Sequence, residues 1–158
     1  MVDNPSTALT ATGPAASLWP AVPSDLPPQR VRAQLIIERL AKAYPDAVIE
    51  LSFDSPVQLL VAVVLSAQCT DVRVNLVTPA LFARFPAAED FAAARPSRLH
   101  PYIRSCGLFR NKARAIVGAC RAIVDRYGGE VPTTRAALAT LPGVGNKSAG
   151  VIAMHLSE

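Results

Sequence analysis

The sequence predicts an all-α protein of seven or eight helices, most of them short. Three observations carry that expectation. Apolar residues recur at three- and four-residue spacing from Ala33 to Tyr44 and again from Ala115 to Val124, which is the period of one helix face. Prolines and glycines break the chain between such stretches, at Pro45, Pro56, Gly107, Gly128-Gly129 and Pro142-Gly143, as helix starts and stops do. Strand-like alternation lasts nowhere long enough to build a sheet, and no repeat is present.

The 158 residues, 51% of them apolar, suffice for one well-packed domain. A charged fraction of 18% and a mean hydropathy of +0.27 describe a soluble globular chain. The greasiest run, "LLVAVVLSA" from Leu59 to Ala67, is too short to cross roughly 30 Å of hydrocarbon as a helix. It reads as a core helix, and a membrane is not expected as a partner. The net charge of +4 leans weakly toward nucleic acid. Cys69, Cys106 and Cys120 form no CxxC pair, so they read as three small hydrophobes in a reducing cytoplasm, with no metal or redox site.

Residues 1–27 are rich in Pro, Ala, Ser and Thr and hold no Lys or Arg. They fit neither a signal nor a transit peptide and predict a disordered tail containing Trp19. A helix and linker follow over 28–54. Ala33, Ile36, Ile37, Leu40 and Tyr44 form the stripe of that helix, and Pro45 ends it. In "SFDSP", Ser55 is the expected N-cap and Pro56 the first helical residue.

Pro56 opens a helical domain over 55–158. Its first helix should reach Gln68 and form the centre of the core. Thr70 or Asp71 caps the next, which runs to about Phe85. Short helices are expected over Ala88–Ala94 and Ser97–Ser105, the second stopped by Gly107. Asn111–Tyr127 is the clearest amphipathic helix, facing inward with Ala115, Ile116, Cys120, Ile123 and Val124. Gly128-Gly129 should close it in a left-handed cap. Thr133 or Thr134 caps a short helix to about Leu141, and the last helix runs from Asn146 to the end.

"LPGVGNKSAG", Leu141 to Gly150, joins those last two helices. Its glycines allow positive φ and close backbone approach. The following helix points free N–H groups and its positive dipole end out of the turn. Two readings stay open here: a plain tight turn, or a grip on one nucleic-acid phosphate that ignores base sequence. Lys147 sits in the first turn of the last helix. There the dipole, with partial burial, should lower its pKa and raise its nucleophilic fraction. Neutral lysine can attack a sugar C1′ and form a Schiff base. Its other reading is a solvated charge offered to DNA. Arg104, Arg110 and Lys112 read as solvated charges as well.

The hairpin string resembles the helix-hairpin-helix motif in its DNA-glycosylase form. "LLVAVVLSAQCTDVRVN" (Leu59–Asn75), "YIRSCGLFRNKARAIV" (Tyr102–Val117) and "GGEVPTTRAALATLPGVGNKSAGVIA" (Gly128–Ala153) look like three ordered segments of the endonuclease III family. The resemblance covers about residues 30–158. It implies the helix-hairpin-helix DNA glycosylase fold, mostly its six-helix barrel domain, with the motif over about 133–158. It also implies base-excision repair by an N-glycosylase with AP-lyase activity on oxidised pyrimidines.

The family's roles fall on particular residues. Lys147 matches the catalytic lysine. Gln68 matches the glutamine that fills the hole left by a flipped nucleotide, and Leu108 the apolar wedge. Gly143, Val144, Gly145 and Ser148 match the DNA-binding hairpin, and Asp71 an acidic residue near the pocket that also reads as a helix cap. The implied partner is double-stranded DNA with damaged bases or abasic sites, met by a monomer at the bacterial nucleoid.

The match is incomplete. The family's aspartate beyond the hairpin and its four [4Fe-4S] cysteines have no counterpart before Glu158. The chain therefore reads as C-terminally truncated, binding no cofactor, with weak or no glycosylase activity and with the stripe of its first helix exposed. Two other functions remain: a non-catalytic DNA-binding module, and an adenine-specific mismatch glycosylase, which Lys147 disfavours.

Overall fold

The computed structural model describes residues 28–156; the expected tail over 1–27 lies outside them. The described residues form eight α-helices and one tighter helical turn, with no strand. The chain divides into two compact units between Val48 and Ile49.

In the first unit, α1 (Gln29–Ala43) follows Pro28. It stops two residues short of Pro45 because a proline forces its predecessor out of helical geometry. Its apolar stripe is exposed as expected, with Ile36, Ile37 and Leu40 at half exposure or more.

The second unit begins at Ile49, six residues ahead of the boundary expected at Ser55. The reason is a clamp from farther along the chain. Asn75 reaches back and clamps the linker, accepting from Ser52 N at 2.9 Å and donating to Glu50 O at 2.8 Å. Leu51 is thereby buried. In α2 (Pro56–Ser66) the Ser55 hydroxyl caps the first turn by accepting from Gln58 N, with Pro56 at the first position. Leu59 through Leu65 are all buried, so α2 is the middle of the core.

The expected reach of α2 to Gln68 is two residues too long. The Lys112 ammonium donates to Leu65 O at 2.7 Å, and Gln68 takes a left-handed φ of 55°. The freed carbonyl is satisfied from outside the helix, and the chain turns away.

Thr70, not Asp71, caps α3 (Asp71–Arg84), its hydroxyl accepting from Arg73 N. Next come α4 (Ala88–Ala93), a single tighter turn at Pro96–Arg98, and α5 (His100–Ile103). The single helix expected over Ser97–Ser105 is thus split. Pro101 has no N–H to give to Ser97, so a continuous ladder cannot pass that point.

α6 (Phe109–Tyr127) buries Ala113, Ile116, Val117, Cys120 and Ile123 and packs on α4. Ala115 and Val124, expected on that inward face, are only half-buried. Gly128 closes the helix at φ 62°, and Gly129 N bonds back to Ile123 O. Thr134 caps α7 (Arg135–Leu138), which pairs with α8 (Asn146–Leu156). α7 ends three residues before Leu141. Thr140 donates its hydroxyl to Ala137 O at 2.7 Å, and Leu141 N bonds Leu138 O, tightening the exit.

Candidate nucleic-acid interface

The turn between α7 and α8 is fastened from behind. Val144 N donates to Leu141 O at 3.1 Å and closes it. Gly143 stands at φ 76°, and a Cβ there would collide with Ala115 Cβ on α6. One turn along, a Cβ on Gly118 would lie 3.2 Å from Pro142 Cβ. The Val144 side chain is buried. Val144, expected in the phosphate grip, therefore anchors the turn and has its N–H engaged within it. Gly145 differs: a Cβ there would meet nothing within 4 Å.

The first intrahelical bond of α8 runs from Ala149 N to Gly145 O at 2.8 Å. The amides of Gly145, Asn146 and Lys147 precede that ladder, at the positive end of the helix.

Four of the predicted residues converge. A cleft of about 310 Å³ is lined by Gln68, Asp71, Lys147 and Ser148 over an apolar floor that includes Leu51 and Val63. Lys147 is exposed, so the partial burial expected for it is absent. Asp71 is half-buried and is the one carboxylate on the described cleft wall. Because Thr70 does the capping, the Asp71 carboxylate is left to the cleft. A wider cleft of about 590 Å³ lies among Arg84, Glu89, Arg95 and Arg98 and holds none of the predicted residues.

Leu108 does not line the lysine's cleft. It sits in a separate shallow face with Arg110 and Arg114, 60% exposed. It is related to Gln68 in another way. Gln68 and Leu108 are the two non-glycine residues at positive φ among those described, at 55° and 56°. Each holds strain of about 1–2 kcal/mol. Their loops touch, since a Cβ on Gly107 would lie 3.4 Å from Gln68 O.

Behind the two loops is Lys112, only 6% exposed. The solvated role expected for it is wrong: it ties α6 to the end of α2 through Leu65 O. The signal was present in the sequence, because Lys112 precedes Ile116 and Cys120 at four-residue spacing and so falls on the inward stripe. Arg104, Arg110 and Arg114 are exposed, and Arg110 lies 4.9 Å from the Phe109 ring centroid.

The three cysteines are free thiols. Burial pushes Cys120 up to about 12, with Glu89 adding to it. Burial also pushes Cys106 up to about 11, helped by charge and a hydrogen bond from Cys69, while Lys112 and Arg73 pull the other way. Cys69 and Cys106 therefore sit on neighbouring loops. Among the described residues no three His, Cys, Asp or Glu side chains gather as metal ligands, and this arrangement does not fit a four-thiolate cluster.

The fold and this surface define a class. Residues 61–154 match the family model of the HhH-GPD superfamily base excision DNA repair proteins, and the chain belongs to that superfamily. The chain is also similar to proteins named endonuclease III. The protein of that name from Synechocystis sp. is 51% identical over 127 residues, 80% of this chain and 58% of the relative. That from Bacillus subtilis is 44% identical over 119 residues, 75% of this chain and 54% of the relative. A solved structure of a trapped endonuclease III–DNA covalent intermediate aligns with a TM-score of 0.73 at 45% identity, over 80% of this chain and 60% of that one. The chain thus spans a little over half the length of the relatives it matches. No described helix is long and apolar enough to cross a membrane.

Proposed function

We propose that this chain carries the DNA-gripping and nucleophilic half of a base-excision glycosylase with AP-lyase activity on oxidised pyrimidines. The observation that carries the proposal is the convergence of Lys147, Asp71, Gln68 and Ser148 on one cleft at the open start of α8. A backbone phosphate fits the amides of Gly145, Asn146 and Lys147, where dipole and N–H groups both favour an anion. Gln68 and Leu108 are the side chains that enter the stack when a nucleotide leaves it.

The Lys147 amine attacks C1′ of the extruded sugar and forms a Schiff base, from which β-elimination cuts the strand. Asp71 is the acid this cleft can offer to the lysine and to positive charge on the sugar. The similarity to endonuclease III–DNA complexes supports DNA as the partner.

Borohydride trapping on duplex DNA with one abasic site tests the reading. The chain should form a covalent adduct that Lys147→Ala abolishes, and Asp71→Asn should slow its formation. An adduct undiminished in Lys147→Ala would remove Lys147 from the chemistry.

A further inference from the structure

The mechanism above uses none of the cysteines, yet two of them flank its two DNA-facing tips. Cys69 follows Gln68, and Cys106 is separated from Leu108 by Gly107 alone. The chain brings these positions together from 37 residues apart. Gly107 is in van der Waals reach of Gln68 O, and Cys69 lies near enough to raise the pKa of Cys106. Both thiols are free, Cys69 half-buried and Cys106 buried. Two cations, Lys112 and Arg73, bear on the Cys106 thiol.

We propose that Cys69 and Cys106 are a modification site: a hydroperoxide converts them to a reversible disulfide that staples the Gln68 loop to the Leu108 loop. Its effect on DNA binding rests on the function proposed above, whereas the bond itself does not.

The chemistry balances with the peroxide as the named oxidant. The Cys69 sulfur, the more accessible, attacks one peroxide oxygen. An S–O bond forms, the O–O bond breaks, and the departing hydroxide takes the thiol proton to leave as water. Cys106 then attacks the Cys69 sulfur. The S–S bond forms, the S–O bond breaks, and hydroxide leaves with the Cys106 proton as a second water. Two thiols lose two electrons in all, and one peroxide gains them. An external dithiol reverses the step by exchange. Burial shields Cys106 from the oxidant until its neighbour is activated.

The bridge closes directly behind the two tips. Both Gln68 and Leu108 enter the stack in the function proposed above, and a disulfide, which holds its Cα atoms within about 7 Å, fixes the spacing of the loops that carry them. The oxidised chain should therefore grip a damaged duplex less well than the reduced chain.

The test treats the full 158-residue chain with hydrogen peroxide, blocks remaining thiols, and digests with trypsin without reductant. Mass spectrometry should find peptide Ser105–Arg110 joined to the peptide carrying Cys69, lighter by two hydrogens, within a monomer. Cys69→Ser and Cys106→Ser should each abolish it, and Cys120→Ala should not. Affinity for an abasic-site duplex should fall about tenfold on oxidation and return with dithiothreitol. Free Cys106 after treatment, or a Cys69–Cys69 dimer, overturns the proposal. A mapped bridge with unchanged affinity overturns its control of DNA binding. If the reduced chain binds no DNA, the proposed function fails while the mapped bridge still establishes the site.

Discussion

Gly143→Ala tests how the hairpin is held. The native φ of 76° costs a side chain about 1–2 kcal/mol. The new methyl would also run into Ala115 Cβ on a packed helix, and forcing that overlap costs about 1–3 kcal/mol more. The expected loss is about 2–5 kcal/mol, or roughly 1–2 M in a urea midpoint. Urea unfolding followed by circular dichroism measures it.

The steric share can be separated from the backbone share. Ala115→Gly removes the obstructing methyl and by itself costs about 1 kcal/mol of helix propensity. The double variant should be more stable than the two single losses predict, by about 1–3 kcal/mol of coupling. Gly145→Ala is the contrast: with open space around it, it should unfold close to the unmodified chain. If Gly143→Ala unfolds there too, or if the cycle shows no coupling, the turn is not pinned against α6 and the account of its rigidity is wrong.

Other outcomes follow from features already described. Leu108→Gly should raise stability by about 0.5–1 kcal/mol in thermal melts by relieving the left-handed strain, while weakening affinity for an abasic duplex; a loss of stability would contradict it. Lys112→Met leaves Leu65 O without its donor and should cost about 1–3 kcal/mol in urea. Because Lys112 is buried, that variant should leave the salt dependence of DNA binding unchanged, whereas Arg110→Ala should lower the slope by about one ion. Cys120 is raised from 9.0 to about 12 in the fold. A raised acid favours the folded state below its unfolded pKa, so stability should decline as pH climbs from 9 toward 12. Urea midpoints across that range should fall less steeply in Cys120→Ala.

Much of the fold was legible because its signals are local. Ser55-Pro56, Thr134 and Gly128-Gly129 mark boundaries that depend only on neighbours a few residues away. Where the reading failed, the deciding partner lay far along the chain. Nothing near Ser66 says that α2 ends there, since the donor on Leu65 O is Lys112, 47 residues later. The early start of the second unit depends on Asn75 in the same way. The cleft residues were legible by resemblance. The contact between the Gln68 and Leu108 loops was not, because left-handed backbone at Gln and Leu has no sequence signature. The approach of the segments carrying Cys69 and Cys106 was hidden by the same long-range topology.

α6 has a metric consequence. Leu108 stands at its head, and Ala115, seven residues on, backs Gly143. At 1.5 Å per residue the loop tip and the hairpin turn are set about 10 Å apart along one rod. The helix is a ruler marked in residues. One residue inserted between those marks would rotate everything beyond it by about 100°, swinging the tip out of line with the turn. Over this stretch the protein can exchange side chains but cannot change its count.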